Sequence, residues 1–200
     1  MYYWRKLTEK QREQILQARK GRDLPWHRPP HFDFTGSLTF IITAACLNHL
    51  PIIGISPERI AEYENLITAN CQSFGARLYA WCILPNHYHL LVHTDNIKEL
   101  RKLLGQLHGR TSRQWNIEDD AVGRKVWYNY FDREMKSDRH YFASLNYVHN
   151  NAVHHGYVGK WQDWPYSSAH QFLAEVGLDE AAKIWREFPV LDYGRDWDNY

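Results

Sequence analysis

The pattern of apolar and polar residues predicts an α+β protein. It is a ferredoxin-like βαββαβ antiparallel sheet with helices on one face, plus a C-terminal tyrosine-bearing helix and an N-terminal helical extension. Three observations predict it. Four short segments are rich in β-branched and aromatic residues: LTFIITAACL at 38–47, RLYAWCIL at 77–84, HYHLLVH at 87–93 and VWYNYF at 126–131. Two capped stretches with helical spacing fall between the first and second strands and between the third and fourth. Only Pro85-Asn86 separates the second and third strands, which marks a hairpin.

Each helix has its own start and stop signals. Ser56 caps a helix from Pro57 to about Phe74, with proline at the first helical position and Gly75 beyond the end. Ile60, Tyr63, Ile67 and Cys71 keep one buried stripe on it. Asp95 or Asn96 caps the next, from Ile97 to about Trp115, with Leu100, Leu103, Leu104 and Leu107 facing inward. Asp138 opens a helix to about His154, and a short helix is expected from Ser168 to Val176. At the front, Thr8 and Gln11 have the spacing of a capping box for a helix over 7–20. Pro25, Pro29 and Pro30 then force an extended linker. The expected organisation is residues 1–34 as helix and linker, 35–176 as the compact domain and 177–200 as an acidic tail.

Composition excludes several classes. Hydrophobic residues make up 44% of the 200-residue chain, with 9 Trp and 13 Tyr, too apolar and aromatic for disorder. No apolar run approaches the ~20 residues of a membrane helix, and the N-terminus lacks a signal-peptide pattern, so a soluble cytoplasmic protein is expected. Cys46, Cys71 and Cys82 form no CxxC pair and read as buried reduced thiols. Net charge is only +1, but residues 1–30 hold eight Lys/Arg against three Asp/Glu, while 171–200 hold three against seven. That asymmetry is a weak pointer to a polyanion at one side.

Two short features could carry chemistry. In a strand, side chains alternate. Tyr88, Leu90 and Val92 therefore share a core face, and His87, His89, Leu91 and His93 share the other. Two imidazoles two residues apart on one face can chelate a divalent ion, although a polar strand face with hydrogen-bonded histidines has the same pattern. On the helix from Asp138, Tyr147 and Asn151 are four residues apart and lie on one face. Tyr141, Leu145, Val148 and Ala152 form a separate apolar stripe that needs no Tyr147. Two successive asparagines inside a helix break local propensity, which points either to function or to a fraying C-terminus.

The segments Leu84-Pro85-Asn86-His87-Tyr88-His89-Leu90-Leu91-Val92, Asn146-Tyr147-Val148-His149-Asn150-Asn151-Ala152-Val153 and Trp161-Gln162-Asp163-Trp164-Pro165-Tyr166-Ser167-Ser168 together resemble the REP-associated tyrosine transposases. These are HUH (His-hydrophobic-His) single-tyrosine transposases tied to repetitive extragenic palindromes. The three motifs stand in the family's order and span about residues 35–170. The resemblance implies that His87, His89 and Asn151 bind the metal and that Tyr147 is the nucleophile. It implies single-stranded or hairpin DNA as partner, with a homodimer as one assembly. One departure is Ala152, where the family usually has proline after the asparagine; alanine lets the helix run on.

The implied chemistry suits these groups. A phosphotyrosine conserves the energy of a broken phosphodiester. Tyrosine, with an ordinary pKa of ~10, needs in-line placement and help in losing its proton. A divalent ion neutralises charge on the phosphate. Two imidazoles and an amide oxygen with open positions suit Mg²⁺ or Mn²⁺, the nitrogens favouring Mn²⁺. Candidate DNA contacts are Lys98, Arg101, Lys102, Arg110 and Arg113 on the second helix, and His149, His154 and His155 near the tyrosine. Competing readings are a non-catalytic nucleic-acid binder on the same fold, a metal-dependent hydrolase using water, and a host-domesticated enzyme that cuts and joins repeats without moving itself.

Overall fold

The computed structural model describes residues 38–191 together with Thr8, Lys10, Gln11, Gln14 and Tyr193. The proline linker and the final residues lie outside the described residues. The capping box is formed: Thr8 N–H donates to Gln11 Oε1 at 2.9 Å, and Gln11 N–H donates to Thr8 Oγ1 at 3.3 Å. The rest of the expected N-terminal helix lies almost wholly outside the described residues.

Four strands, β1 (Leu38–Cys46), β2 (Arg77–Ile83), β3 (His87–Thr94) and β4 (Trp127–Glu134), form one sheet in the order β2-β3-β1-β4. Every neighbouring pair is antiparallel. The helices are α1 (Pro57–Ser73), α2 (Ile97–Glu118), α3 (Asp138–His154) and α4 (Ala169–Glu187), with single 3₁₀ turns at Leu47–His49, Ile53–Ile55 and Trp161–Asp163. This is the order and class expected from the sequence. Side-chain caps set the helix starts: Ser56, Asn96 and Ser137 accept from the backbone N–H of Arg59, Glu99 and His140. Among the described residues, no helix is long and apolar enough to cross a membrane.

The sheet is buried on both faces. Tyr88, Leu90 and Val92 join Phe40, Ile42 and Tyr63 in a core under α1 and α2. Ile41, Leu91, Leu145, Tyr147 and Val148 form a second core beneath α3 and α4. Tyr147 thus belongs to the packed surface of α3, not to a separate stripe. The three thiols are buried and free, and burial pushes those of Cys46 and Cys71 up to about 12.

The C-terminal part differs from expectation. Gly177 interrupts α4 with φ +79°, but the helix resumes and runs to Glu187. Ala181 and Ile184 are buried there. Asn146 Nδ2 donates to Phe188 O at 2.8 Å, tying this end to α3. A glycine that reads as a stop in sequence is here a kink, because apolar residues beyond it still have a core to reach.

Two local features hold the frame. Arg59 on α1 donates to both carboxylate oxygens of Asp119 at the end of α2 (2.6 and 3.0 Å), and Arg124 donates to Asp119 Oδ2 at 2.6 Å. The Arg59 bond is the main reason the Asp119 carboxyl is held at about 2, below its ordinary 3.8. Gly54 lies against the β2–β3 turn. Its N–H donates to Pro85 O at 2.9 Å, and a Cβ there would sit 2.3 Å from Pro85 Cβ.

Gly54→Ala is expected to lower stability by about 1–3 kcal/mol through overpacking, read by thermal unfolding. Asp119→Asn is expected to cost about 1–3 kcal/mol near neutral pH. Because folding depresses the Asp119 pKa, its stabilisation is complete above 3.8 and is lost as pH falls from there towards about 2. The gap between wild type and Asp119→Asn should close over that window in denaturant titrations.

Candidate active site

The face of β3 that meets α3 carries His87, His89 and Leu91, and all three side chains are inaccessible to solvent. Antiparallel pairing sets Thr43 of β1 directly opposite His89. Its hydroxyl lies 2.7 Å from His89 Nδ1, so the imidazole keeps Nε2 for the site. Asn86, just before the strand, fixes His87 in the same way. Its Nδ2 donates to His49 O at 3.3 Å, which orients the amide and leaves Oδ1 to accept from His87 Nδ1 at 2.7 Å. Both imidazoles are thus held through Nδ1, the arrangement usual for histidines that bind metal through Nε2.

From across the interface, α3 lowers two side chains onto this surface. The helix is continuous through Asn150 and Asn151, and Asn151 O accepts from His155 N–H. The asparagines are therefore not a frayed end. Helical spacing brings Asn151 Oδ1 to 3.0 Å from His87 Nε2 and sets the Tyr147 ring edge-on to His89, centroids 5.1 Å apart. Asn151 is fully buried, and its Nδ2 has no hydrogen-bond partner among the described residues. With the His87 proton on Nδ1, lone pairs of Nε2 and Oδ1 face each other. A positive charge shared between them satisfies that arrangement, as does turning the amide over. The His87 and Asn151 pair therefore fits a small shared cation, and the His89 ring stands beside it, its centroid 5.0 Å from that of His87. No group of three or more His, Cys, Asp or Glu side chains among the described residues is placed to hold a metal ion.

Without the proline, α3 extends three residues past Asn151 to His154. Gly156, with φ +73°, then turns the chain. This brings the His155 ring to 4.8 Å from that of His87 and leaves His154 exposed. Tyr193 stands edge-on over Tyr147 at 5.7 Å and bonds Ser144 Oγ at 2.6 Å. Tyr147 itself is only 3% exposed.

The candidate DNA contacts separate. His149 is buried, bonded to Ser168 Oγ at 2.9 Å and stacked on Trp161. Burial pushes its pKa down to about 3, so it is a neutral packing group rather than a phosphate contact. Arg101 donates to both oxygens of the buried Asp132 (3.2 and 2.8 Å), an ion pair between α2 and β4. Lys98, Lys102, Arg110 and Arg113 are exposed, but α2 packs on the opposite face of the sheet from Tyr147. Sequence reasoning missed the roles of Thr43 and Asn86. Asn86 lay inside a recognised motif, whereas Thr43 is visible only once the β1–β3 register is known.

A family model, Transposase IS200 like, matches residues 55–154, which include His87, His89, Tyr147 and Asn151. The chain belongs to the IS200-like transposase family. It is therefore related to enzymes. A Haemophilus influenzae relative named for the REP-associated tyrosine transposases is 30% identical over 124 residues, covering 57% of this chain and 70% of its own. The REP-associated tyrosine transposase of Escherichia coli is 26% identical over 97 residues, covering 48% and 55%. The fold matches that of a REP-associated tyrosine transposase solved bound to a REP hairpin. That likeness has a TM-score of 0.57 at 17% identity and covers 86% of this chain and 94% of the other.

Thr43→Val keeps the shape of the side chain and removes the bond to His89. It is expected to leave the fold intact and weaken Mn²⁺ binding by about 10- to 100-fold, measured by calorimetric titration.

Proposed function

We propose that this transposase is a metal-dependent single-stranded DNA endonuclease and strand transferase that works beside a hairpin, through a covalent 5′-phosphotyrosine. The observation that carries this is the meeting of β3 and α3, where His87 Nε2 and Asn151 Oδ1 stand 3.0 Å apart and Tyr147 packs against His89 of the same chain. The relatives named above, one of them solved with a REP hairpin, support a hairpin DNA substrate.

In this reading Tyr147 loses its phenolic proton and its Oη attacks the scissile phosphorus. A P–Oη bond forms and the P–O3′ bond breaks, and the departing 3′ oxygen takes up a proton. Rejoining is the reverse: a 3′-hydroxyl attacks the phosphotyrosine, and Tyr147 recovers its proton. Mg²⁺ or Mn²⁺ held by His87, His89 and Asn151 would neutralise charge on the phosphate. Thr43 and Asn86 hold the two imidazoles through Nδ1, which leaves the Nε2 atoms to serve the ion. The Tyr147 hydroxyl must come clear of Tyr193 and the surrounding packing to meet DNA, because the residue is almost wholly buried. Exposed His154 adjoins the site through His155, whose ring lies 5.1 Å from its own and 4.8 Å from that of His87. Lys98, Lys102, Arg110 and Arg113 would meet only DNA that passes round the sheet.

The test is covalent trapping. Labelled hairpins with single-stranded flanks are incubated with the protein and Mn²⁺ and run on a denaturing gel. A shifted band that disappears in Tyr147→Phe, with hairpin binding retained, is the expected result. Cleavage that persists in Tyr147→Phe without an adduct would assign a water-using hydrolase. Binding without cleavage would assign a recognition protein.

A further inference from the structure

Cutting by Tyr147 requires an unpaired strand threaded past it, and something must hold the bases of that strand. Most aromatic rings here are consumed in packing: Trp161 is stacked on His149 at 13° and aligned with Trp185 at 10°. One group is not. Just past the Gly156 turn, Tyr157 is 42% exposed. Its ring is 5.4 Å from that of Trp164 at 36°, and Trp164 is 5.4 Å from Tyr166 at 76°. Trp164 and Tyr166 each pack against a core, one on either face of the sheet, yet both stay half-buried, so each keeps part of its surface open.

The row is also anchored. Trp164 Nε1 donates to Ile83 O at 2.9 Å, and Tyr166 O accepts from Ile83 N–H at 2.9 Å. Ile83 is the last residue of β2, four residues before His87. At the other end Tyr157 neighbours the His155 ring at 6.4 Å, and that ring stands 4.8 Å from His87. A line of partly open rings thus runs from the candidate site round the end of β2. His154 and Lys160, both exposed, flank it with groups suited to phosphate.

We infer that Tyr157, Trp164 and Tyr166 form a stacking track for the unpaired nucleotides that flank a hairpin, leading that strand to Tyr147. This rests on the DNA-cutting reading above and adds the subsite that holds the flank. Base–aromatic stacking is tolerant of sequence, so the track selects single-stranded character and leaves base identity to other contacts.

The experiment measures anisotropy of two labelled hairpins with the same stem, one blunt and one with a six-nucleotide single-stranded flank, without added divalent metal. Tyr157→Ala, at an exposed position, is expected to weaken binding of the flanked hairpin roughly tenfold and to leave the blunt one unchanged. Tyr157→Phe should restore it. Photo-crosslinking from 5-iodouracil in the flank should map to 157, 164 or 166. Equal loss on both hairpins, no loss on either, or crosslinks elsewhere would overturn the track while leaving the cutting reading in place. Failure of the wild-type chain to bind any hairpin would remove that reading and the track with it.

Discussion

The alternation of side chains along β3 is the constraint on which the rest of the molecule depends. This strand is central, paired with β2 on one side and β1 on the other, and covered on both faces. A slip of one residue would carry Tyr88, Leu90 and Val92 into the candidate site and both histidines into the core beneath α1 and α2. Roughly 0.8 kcal/mol per buried methylene, summed over those side chains, sets the register. The histidines are therefore placed by their apolar neighbours.

That arrangement also explains why the site is dry. His87, His89 and Asn151 lose water because α3 must bury Leu145, Val148 and Ala152 on the same face. Polar groups in such surroundings need partners. Thr43 and Asn86 supply them for the two Nδ1 atoms, and the Nε2–Oδ1 pair is left converging. The same packing carries Tyr147 to His89, so the proposed nucleophile and the candidate ligands meet within a single chain.

Much of this was legible in the sequence, and for a common reason. The order of strands and helices along the chain, the two faces of β3 and the Tyr147–Asn151 pair all follow from periods of 2 and 3.6, which are local. What was not legible depends on distant partners. Arg101 reads as a candidate phosphate contact until β4 brings Asp132 beneath it. His149 reads as a surface group until the chain returns with Trp161 and Ser168. Thr43 is one more β-branched residue in an apolar strand until it is paired with His89. Gly177 reads as an end because the pull of a core on Ala181 and Ile184 cannot be seen along the chain.

The segment that closes on the end of β2 has a bearing on self-association. β2 is an outermost strand of the sheet, and such strands offer unpaired backbone groups to a second chain. Here Ser168 N–H donates to Trp81 O, Ile83 N–H donates to Tyr166 O, and Trp81 N–H is taken by Ser168 Oγ. The chain has spent the second half of that border on itself. Two copies joining their sheets along β2 would first have to peel this segment away, giving up its hydrogen bonds and the anchorage of Trp164. Lateral growth of the sheet on this side is thus opposed from within the fold.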